Sequence, residues 1–324
     1  MPLATPPPAL TWNAQALWQD LSPLLPGLTV EVVAQTGSTN ADLLERGHQI
    51  HRARRTGEPS SADTTHGTAM PSAGGRRQAD LRPYLLVAER QTQGRGRQGK
   101  VWLSAPGASL TFSLALPLAP KNWMGLSLAV GLSLAETLDP SALAPDGRPP
   151  APRIGLKWPN DLLLIDARCV GRKLGGILIE TVPVGDKRLA VIGVGINLAT
   201  QPDAGALPWG QAHAQELVPG LNAPQLLARL APALVKAVLA FEQHGFAPLV
   251  APYAKRDLLK GMAVSTSLAE LPNGVADGVD SQGMLWLRHG ERRSAVGSGE
   301  ISLLRDTKAM PSTLQVPHNE SRPC

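Results

Sequence analysis

Between residues 84 and 197 the chain makes six short apolar runs of four to nine residues: Tyr84–Glu89, Leu110–Leu116, Ile154–Lys157, Leu162–Ile165, Gly176–Thr181 and Leu189–Asn197. Runs of that length suit strands, and the glycines, prolines and polar turns between them suit hairpins. Alternation over Thr29–Ala34 adds a further strand. Two longer segments read as helices. Met124–Leu138 has small residues for close packing, and Pro224–His244 sets Leu227, Leu230, Leu234, Val238 and Phe241 on one stripe behind a first-turn proline. Ser38-Thr39-Asn40 can cap a short helix through Asp42, Leu43 and Leu44 that stops at Gly47. The expectation is an α+β protein framed on a mixed sheet.

Beyond Leu259 the pattern shifts to short strands and turns: Gly274–Val279, the turn Asp280-Ser281-Gln282-Gly283, Met284–Arg288 and Ser294–Leu304. A small β-barrel fits that stretch. The domains expected are therefore residues 10–256 and residues 257–305, with 306–324 as a disordered tail. Residues 48–82, rich in Gly, Ser, Thr, Ala, Arg and His, lack the large apolar side chains that a core needs and read as a disordered insertion.

Charge narrows the partners. The net charge is +5, and residues 46–82 carry seven arginines against three acids, so that loop and the tail hold the excess. A balanced remainder gives little footing for nucleic acid. The stretches Leu110–Ala119 and Met124–Leu138 are too broken to span a bilayer, and the first ten residues lack a signal peptide's cationic start and apolar run. With only Cys169 and Cys324, no disulfide framework is expected, and a cytoplasmic location follows as the expectation.

Four clusters carry chemistry. In Gly94-Arg95-Gly96-Arg97-Gln98-Gly99-Lys100-Val101-Trp102, glycines let backbone amides approach an anion while three cations supply charge-assisted bonds. A Rossmann reading fails because Val101–Ser104 and Pro106-Gly107 cannot open a helix behind the glycines, and a plain basic hairpin stays open as an alternative. Lys157-Trp158-Pro159-Asn160-Asp161 presents a cation, an amide and a carboxylate on one turn, suited to phosphates and magnesium, though Asp161 equally suits an ordinary turn acid. Lys173 beside Gly175-Gly176 is either an anion ligand or a solvated hairpin lysine, and Gly193-Val194-Gly195-Ile196-Asn197 permits close approach to a ligand. Anion sites without a Ser-His-Asp set or a cysteine nucleophile suggest acyl adenylation, in which the substrate's carboxylate attacks a nucleotide phosphate.

Taken in order, Ser38-Thr39-Asn40, Gln91 with the Gly94–Trp102 loop, Lys157–Asp161, Arg172–Glu180 and Gly193–Asn197 resemble the motif series of the biotin protein ligases. The resemblance implies a catalytic domain similar to class II aminoacyl-tRNA synthetases and an SH3-like C-terminal barrel. It further implies activation of biotin by Mg-ATP to biotinyl-5′-AMP, then transfer to a lysine of a biotin carboxyl carrier protein, a subunit of acetyl-CoA carboxylase. Carried over by motif, Ser38, Thr39, Asn40, Gln91, Gly94, Arg95, Gly96, Gly175 and Gly176 would surround biotin. Arg97 and Lys173 would be catalytic, meeting both the carboxylate and the α-phosphate. Lys100, Trp102, Lys157, Asn160, Asn197 and Trp209 would serve ATP, and Asp161 the Mg2+. No winged helix precedes residue 29, so no operator DNA binding is expected, nor a membrane partner; a homodimer is left open. A lipoate-type ligase and a non-catalytic binding module are the competing readings.

Overall fold

The computed structural model describes residues 10–56, 81–140, 152–166, 171–184, 186–200 and 210–304. Seven strands, β1 (Thr29–Thr36), β2 (Tyr84–Gln91), β3 (Ser109–Leu118), β4 (Ile154–Lys157), β5 (Asp161–Ile165), β6 (Gly171–Val184) and β7 (Lys187–Asn197), form one sheet in the order β1-β2-β3-β7-β6-β5-β4. It is mixed: β1 pairs β2 in parallel, while β2 with β3, β4 with β5 and β5 with β6 are antiparallel. A separate antiparallel sheet follows, of β8 (Ala263–Thr266), β9 (Asn273–Val279), β10 (Leu285–His289), β11 (Arg292–Val296) and β12 (Ile301–Leu303), in the order β11-β10-β9-β8-β12. The stretch expected as one strand over Ser294–Leu304 is two, β11 and β12, parted around Gly299 at φ +127. Among the described residues the five strands pair in open order, and no closed barrel is formed.

The chain divides into two compact units. The first holds residues 1–119, 178–195 and 222–224. The helix α1 (Ala14–Leu21), which the apolar pattern did not announce, is capped by the Asn13 side chain and buries Leu17 and Leu21. The helix α2 spans Thr39–Thr56 and overturns the expected stop at Gly47; residues 48–56 are helical, and the rest of the expected insertion, 57–80, lies outside the described residues. Gly47 is a packing glycine. A Cβ there would come within 2.8 Å of Leu189 Cδ2, so its role is close approach of helix to sheet. Leu43 of α2 shares a core with Leu86, Ala115, Val182, Val184, Leu189 and Val191.

The second unit holds residues 120–177, 196–221 and 225–324. Its helix α3 (Leu126–Leu138) buries residues on every side, as expected of a segment with so few polar positions. The helix α4 (Ala223–His244) bridges the unit boundary in sequence and alone among the described residues has the length and apolarity of a membrane-crossing segment. The five residues of its apolar stripe are all buried, which marks a core helix. The domain boundary expected between 256 and 257 falls inside this unit. Leu156 pairs with the backbone on both sides of Asp257, and Arg256, 5% exposed, donates to Asp139 Oδ2 at 2.8 Å and to the Ile154 carbonyl at 3.0 Å. Trp158 Nε1 donates to the Gly283 carbonyl at 3.1 Å, tying the small sheet to the strand end that carries Lys157. The expected tail, 306–324, lies outside the described residues.

Candidate functional site

In the first unit the start of α2, the end of β2 and the middles of β3 and β6 converge on one polar network. Ser38, Thr39 and Asn40 are all under 5% exposed, so their polar atoms need partners. Gln91 Oε1 accepts from the Thr39 N–H at 2.8 Å, and the Thr39 hydroxyl lies 2.6 Å from Ser113 Oγ. Ser113 donates to Asn40 Oδ1 at 2.6 Å, and Asn40 Nδ2 donates to the Leu178 carbonyl at 3.1 Å and to Glu180 Oε2 at 3.0 Å. Arg95, largely exposed, reaches the other Glu180 oxygen at 3.5 Å. Four of the residues singled out in sequence thus share one chain of bonds. Ser113 and Glu180 complete it; the signal for Ser113 was a hydroxyl inside the otherwise apolar Leu110–Leu116 run.

The segment from Gly94 to Trp102 is a hairpin. The Trp102 N–H donates to the Gly94 carbonyl at 2.9 Å, the Gly96 N–H to the Lys100 carbonyl at 2.6 Å, and the reversal uses left-handed Gln98 (φ 53) and Gly99 (φ 73). The hairpin alternative therefore describes its backbone, and the cations ride upon it: Lys100 exposed, Arg97 half-buried. Its close approaches are made by protein. A Cβ on Gly94 would meet the Trp102 carbonyl at 2.2 Å, one on Gly195 the Trp102 indole at 2.4 Å, and one on Gly193 Asn40 Oδ1 at 2.3 Å. The glycines of β7, read as room for a ligand, are room for Trp102 and Asn40. The Trp102 indole N–H is buried and has no hydrogen-bond partner among the described residues.

In the second unit Asp161 lies between two ammonium groups. Lys173 Nζ is 2.7 Å from its Oδ1 and Lys157 Nζ is 3.6 Å from its Oδ2. Burial holds the Lys157 pKa below its ordinary value, Asp161 opposing that shift and the Lys173 charge adding to it. Asp161 stands opposite Gly176 and Leu162 opposite Gly175, but Leu163 stands opposite Lys173, so Leu174 is an extra residue in β6. That bulge turns Lys173 onto the face of Asp161; regular pairing would send it to the other face. Gly176 leaves the carboxylate open, its Cβ position lying 3.7 Å from both Asp161 Oδ1 and Lys173 Nζ. Asn160 Nδ2 donates to the Ile177 carbonyl at 2.9 Å, and buried Asn197 donates through Nδ2 to the Lys173 carbonyl at 3.0 Å.

Both Asp161 oxygens face ammonium groups, and among the described residues no three acidic, histidine or cysteine side chains gather as a metal site. Trp209, expected to cover adenine, lies outside the described residues.

A model of the Biotin/lipoate A/B protein ligase family matches residues 73–197. The biotin--[acetyl-CoA-carboxylase] ligase of Mycobacterium tuberculosis is 34% identical over 292 residues, covering 85% of this chain and 89% of that protein. The bifunctional ligase/repressor BirA of Salmonella typhimurium is 35% identical over 246 residues, 74% of this chain and 72% of that one. Among solved structures, a biotin protein ligase from Aquifex aeolicus in complex with biotin and ATP shares the fold, with a TM-score of 0.60, 24% identity and coverage of 86% of this chain and 99% of that chain. On the identity and coverage of these relatives, the chain belongs to the biotin/lipoate A/B protein ligase family, with biotin protein ligases as its relatives within it.

Proposed function

We propose that the chain activates biotin with ATP and passes it to a lysine of a biotin carboxyl carrier protein. In the first step a biotin carboxylate oxygen bonds to the α-phosphorus of ATP as the α–β phosphoanhydride bond breaks, giving biotinyl-5′-AMP and pyrophosphate. In the second, a neutral lysine amine attacks the mixed anhydride, forming an amide and releasing AMP and a proton. The carrying observation is Lys173, brought by the Leu174 bulge beside Asp161 at the mouth of a glycine-bearing strand. An ammonium fixed there lowers the repulsion between a carboxylate and a phosphate before they react.

In the first unit, Ser38, Thr39, Asn40, Gln91, Gly94, Arg95 and Gly96 would hold the bicyclic head of biotin, and Arg97 would meet the carboxylate and the α-phosphate. In the second, Gly175 and Gly176 would leave room for biotin's acyl end beside Lys173, while Lys157, Asn160 and Asn197 would serve the nucleotide; Lys100 and Trp102 would do so from the loop. Mg2+ ordinarily binds through one or two carboxylates together with substrate phosphates, so a single protein carboxylate suffices for it, and Asp161 would be that ligand. When bound, the ion neutralises triphosphate charge. Residues 257–305 are proposed as an SH3-like C-terminal domain following a catalytic domain related to class II aminoacyl-tRNA synthetases, and dependence on ATP suits a cytoplasmic enzyme.

The test is biotin-dependent exchange of labelled pyrophosphate into ATP, with lipoate and octanoate as controls and no acceptor present. Exchange with biotin alone supports the reading. Exchange with lipoate or octanoate instead would move the chain to the lipoate side of its family, and silence with every acid from folded protein would leave a binding module.

A further inference from the structure

Resting on the reading of Lys173 as the residue that meets the carboxylate and the α-phosphate, we infer that Glu216 is a positioning residue for it, acting through Arg172. Both backbone groups of Lys173 point away from β5. Its N–H donates to the Gly210 carbonyl at 3.2 Å, and its carbonyl accepts from the Ala212 N–H at 2.9 Å, forming a parallel bridge to Gln211. The Leu174 bulge interrupts the β5 ladder immediately beside this point, so the 210–212 segment supplies the backbone bonds that hold Lys173 in its turned orientation.

Glu216 secures that segment. Arg172 grips it with a two-pronged contact, Nη2 to Oε2 at 2.6 Å and Nη1 to Oε1 at 3.2 Å, and the same Nη1 donates to the Gln211 carbonyl at 2.9 Å. Glu216 Oε1 also accepts from the His213 N–H at 2.9 Å, closing a capping box at a single helical turn, and the Glu216 carbonyl accepts from Arg153 at 3.3 Å. The Arg172 hydrogen bond, ahead of the His213 backbone contact, keeps the Glu216 carboxyl below its ordinary pKa and so ionised at neutral pH. Arg172 and Glu216 are each about one third exposed, at 32% and 36%, so the pair contributes little to global stability and can be loosened without unfolding the chain.

The experiment uses full-length Glu216→Gln, Glu216→Asp and Lys173→Gln proteins and the Glu216→Gln/Lys173→Gln double variant. Exchange rates are read together with the reactivity of the Lys173 amine toward an amine-specific acylating reagent, followed by peptide mass spectrometry. For Glu216→Gln, kcat for biotin-dependent pyrophosphate exchange is expected to fall about tenfold with KM for biotin and ATP within about twofold, because an interaction felt mainly in the transition state is lost. Lys173 acylation should rise several-fold as the ammonium leaves Asp161, Glu216→Asp should reverse most of both changes, and in the Lys173→Gln background the Glu216 change should add almost nothing to the loss of exchange. Unchanged Lys173 labelling in Glu216→Gln, or an equal further loss in the double variant, would overturn the inference and leave Glu216 a structural clasp. Full exchange in Lys173→Gln alone would instead remove Lys173 from the mechanism, and the inference with it.

Discussion

The Lys173 ammonium and the Asp161 carboxylate meet at 2.7 Å from neighbouring strands, with Lys157 completing the pair's surroundings at 3.6 Å. One carboxylate holding two cations keeps both near a place where anions are to bind. Asp161→Asn should leave the two ammonium groups to repel each other and move Lys173 out of register. Pyrophosphate exchange is expected to fall by roughly 100-fold, the scale of a misplaced reacting group, while the folded state survives. Steady-state exchange beside a circular dichroism melt checks both halves; a wild-type rate would make Asp161 an ordinary turn acid.

The buried ammonium of Lys157 predicts a pH dependence. Its pKa lies below 10.5 because burial disfavours the charged form. Between the depressed folded value and 10.5 the unfolded chain binds more protons, so stability rises with pH across that window, and below it the full cost of the buried charge is present. Lys157→Met should therefore be as stable as the parent or more so at pH 7, and its relative gain should shrink as the pH climbs through the window. Urea unfolding at several pH values reads this directly, and a gain that grows with pH would contradict it.

Gly195 leaves the space that the Trp102 indole fills, since an added Cβ would sit 2.4 Å from the ring. Overpacking of this kind costs about 1–3 kcal/mol, and the ring can escape only by carrying the loop with it. Gly195→Ala should weaken biotin binding by more than tenfold in calorimetry and lower stability by that amount. Normal affinity would show that the loop binds without Trp102 seated on β7.

Arg256 and Asp139 form a buried pair in the second unit, with Asp139 Oδ2 also accepting from the backbone N–H groups of Arg153 at 2.8 Å and Ile154 at 3.1 Å. Removing the cation leaves a largely buried carboxylate facing only amides. Arg256→Met is expected to destabilise by about 3–5 kcal/mol, whereas Asp139→Asn, which retains an oxygen acceptor, should cost less. Denaturant midpoints of the two variants give the comparison.

Gly283 and Gly125 both adopt left-handed backbone, φ 86 and φ 84, and a Cβ on Gly283 would lie 2.5 Å from Gly125 Cα. Gly283→Ala meets backbone that has no rotamer to change. A loss of at least about 1 kcal/mol is expected in the same unfolding assay, and a neutral result would mean that the α3 start and the β10 turn can separate freely.

Much was legible in the chain because it is local. Short apolar runs mark strands through their length, and β4 and β7 end where Lys157 and Asn197 were read to end them. The α4 stripe marks a buried face through its 3.6-residue period, and the cationic glycine hairpin and the Lys157–Asp161 turn are visible as composition alone. What remained hidden depends on neighbours distant in sequence. Gly47 looks like a helix stop until Leu189 and Val182 are found against it, and the Gly193 and Gly195 vacancies look like ligand space until Asn40 and Trp102 occupy them.

The same division governs the site. The order of residues determined by itself which cations, amides and carboxylates the protein owns and on which strand ends they stand. Only the tertiary structure decided that Lys173 faces Asp161, because side-chain direction in a strand reverses with each residue and the one-residue bulge at Leu174 is defined by pairing with β5 and by the 210–212 segment on the other edge. Periodicity within one strand carries no record of the register adopted by its partners.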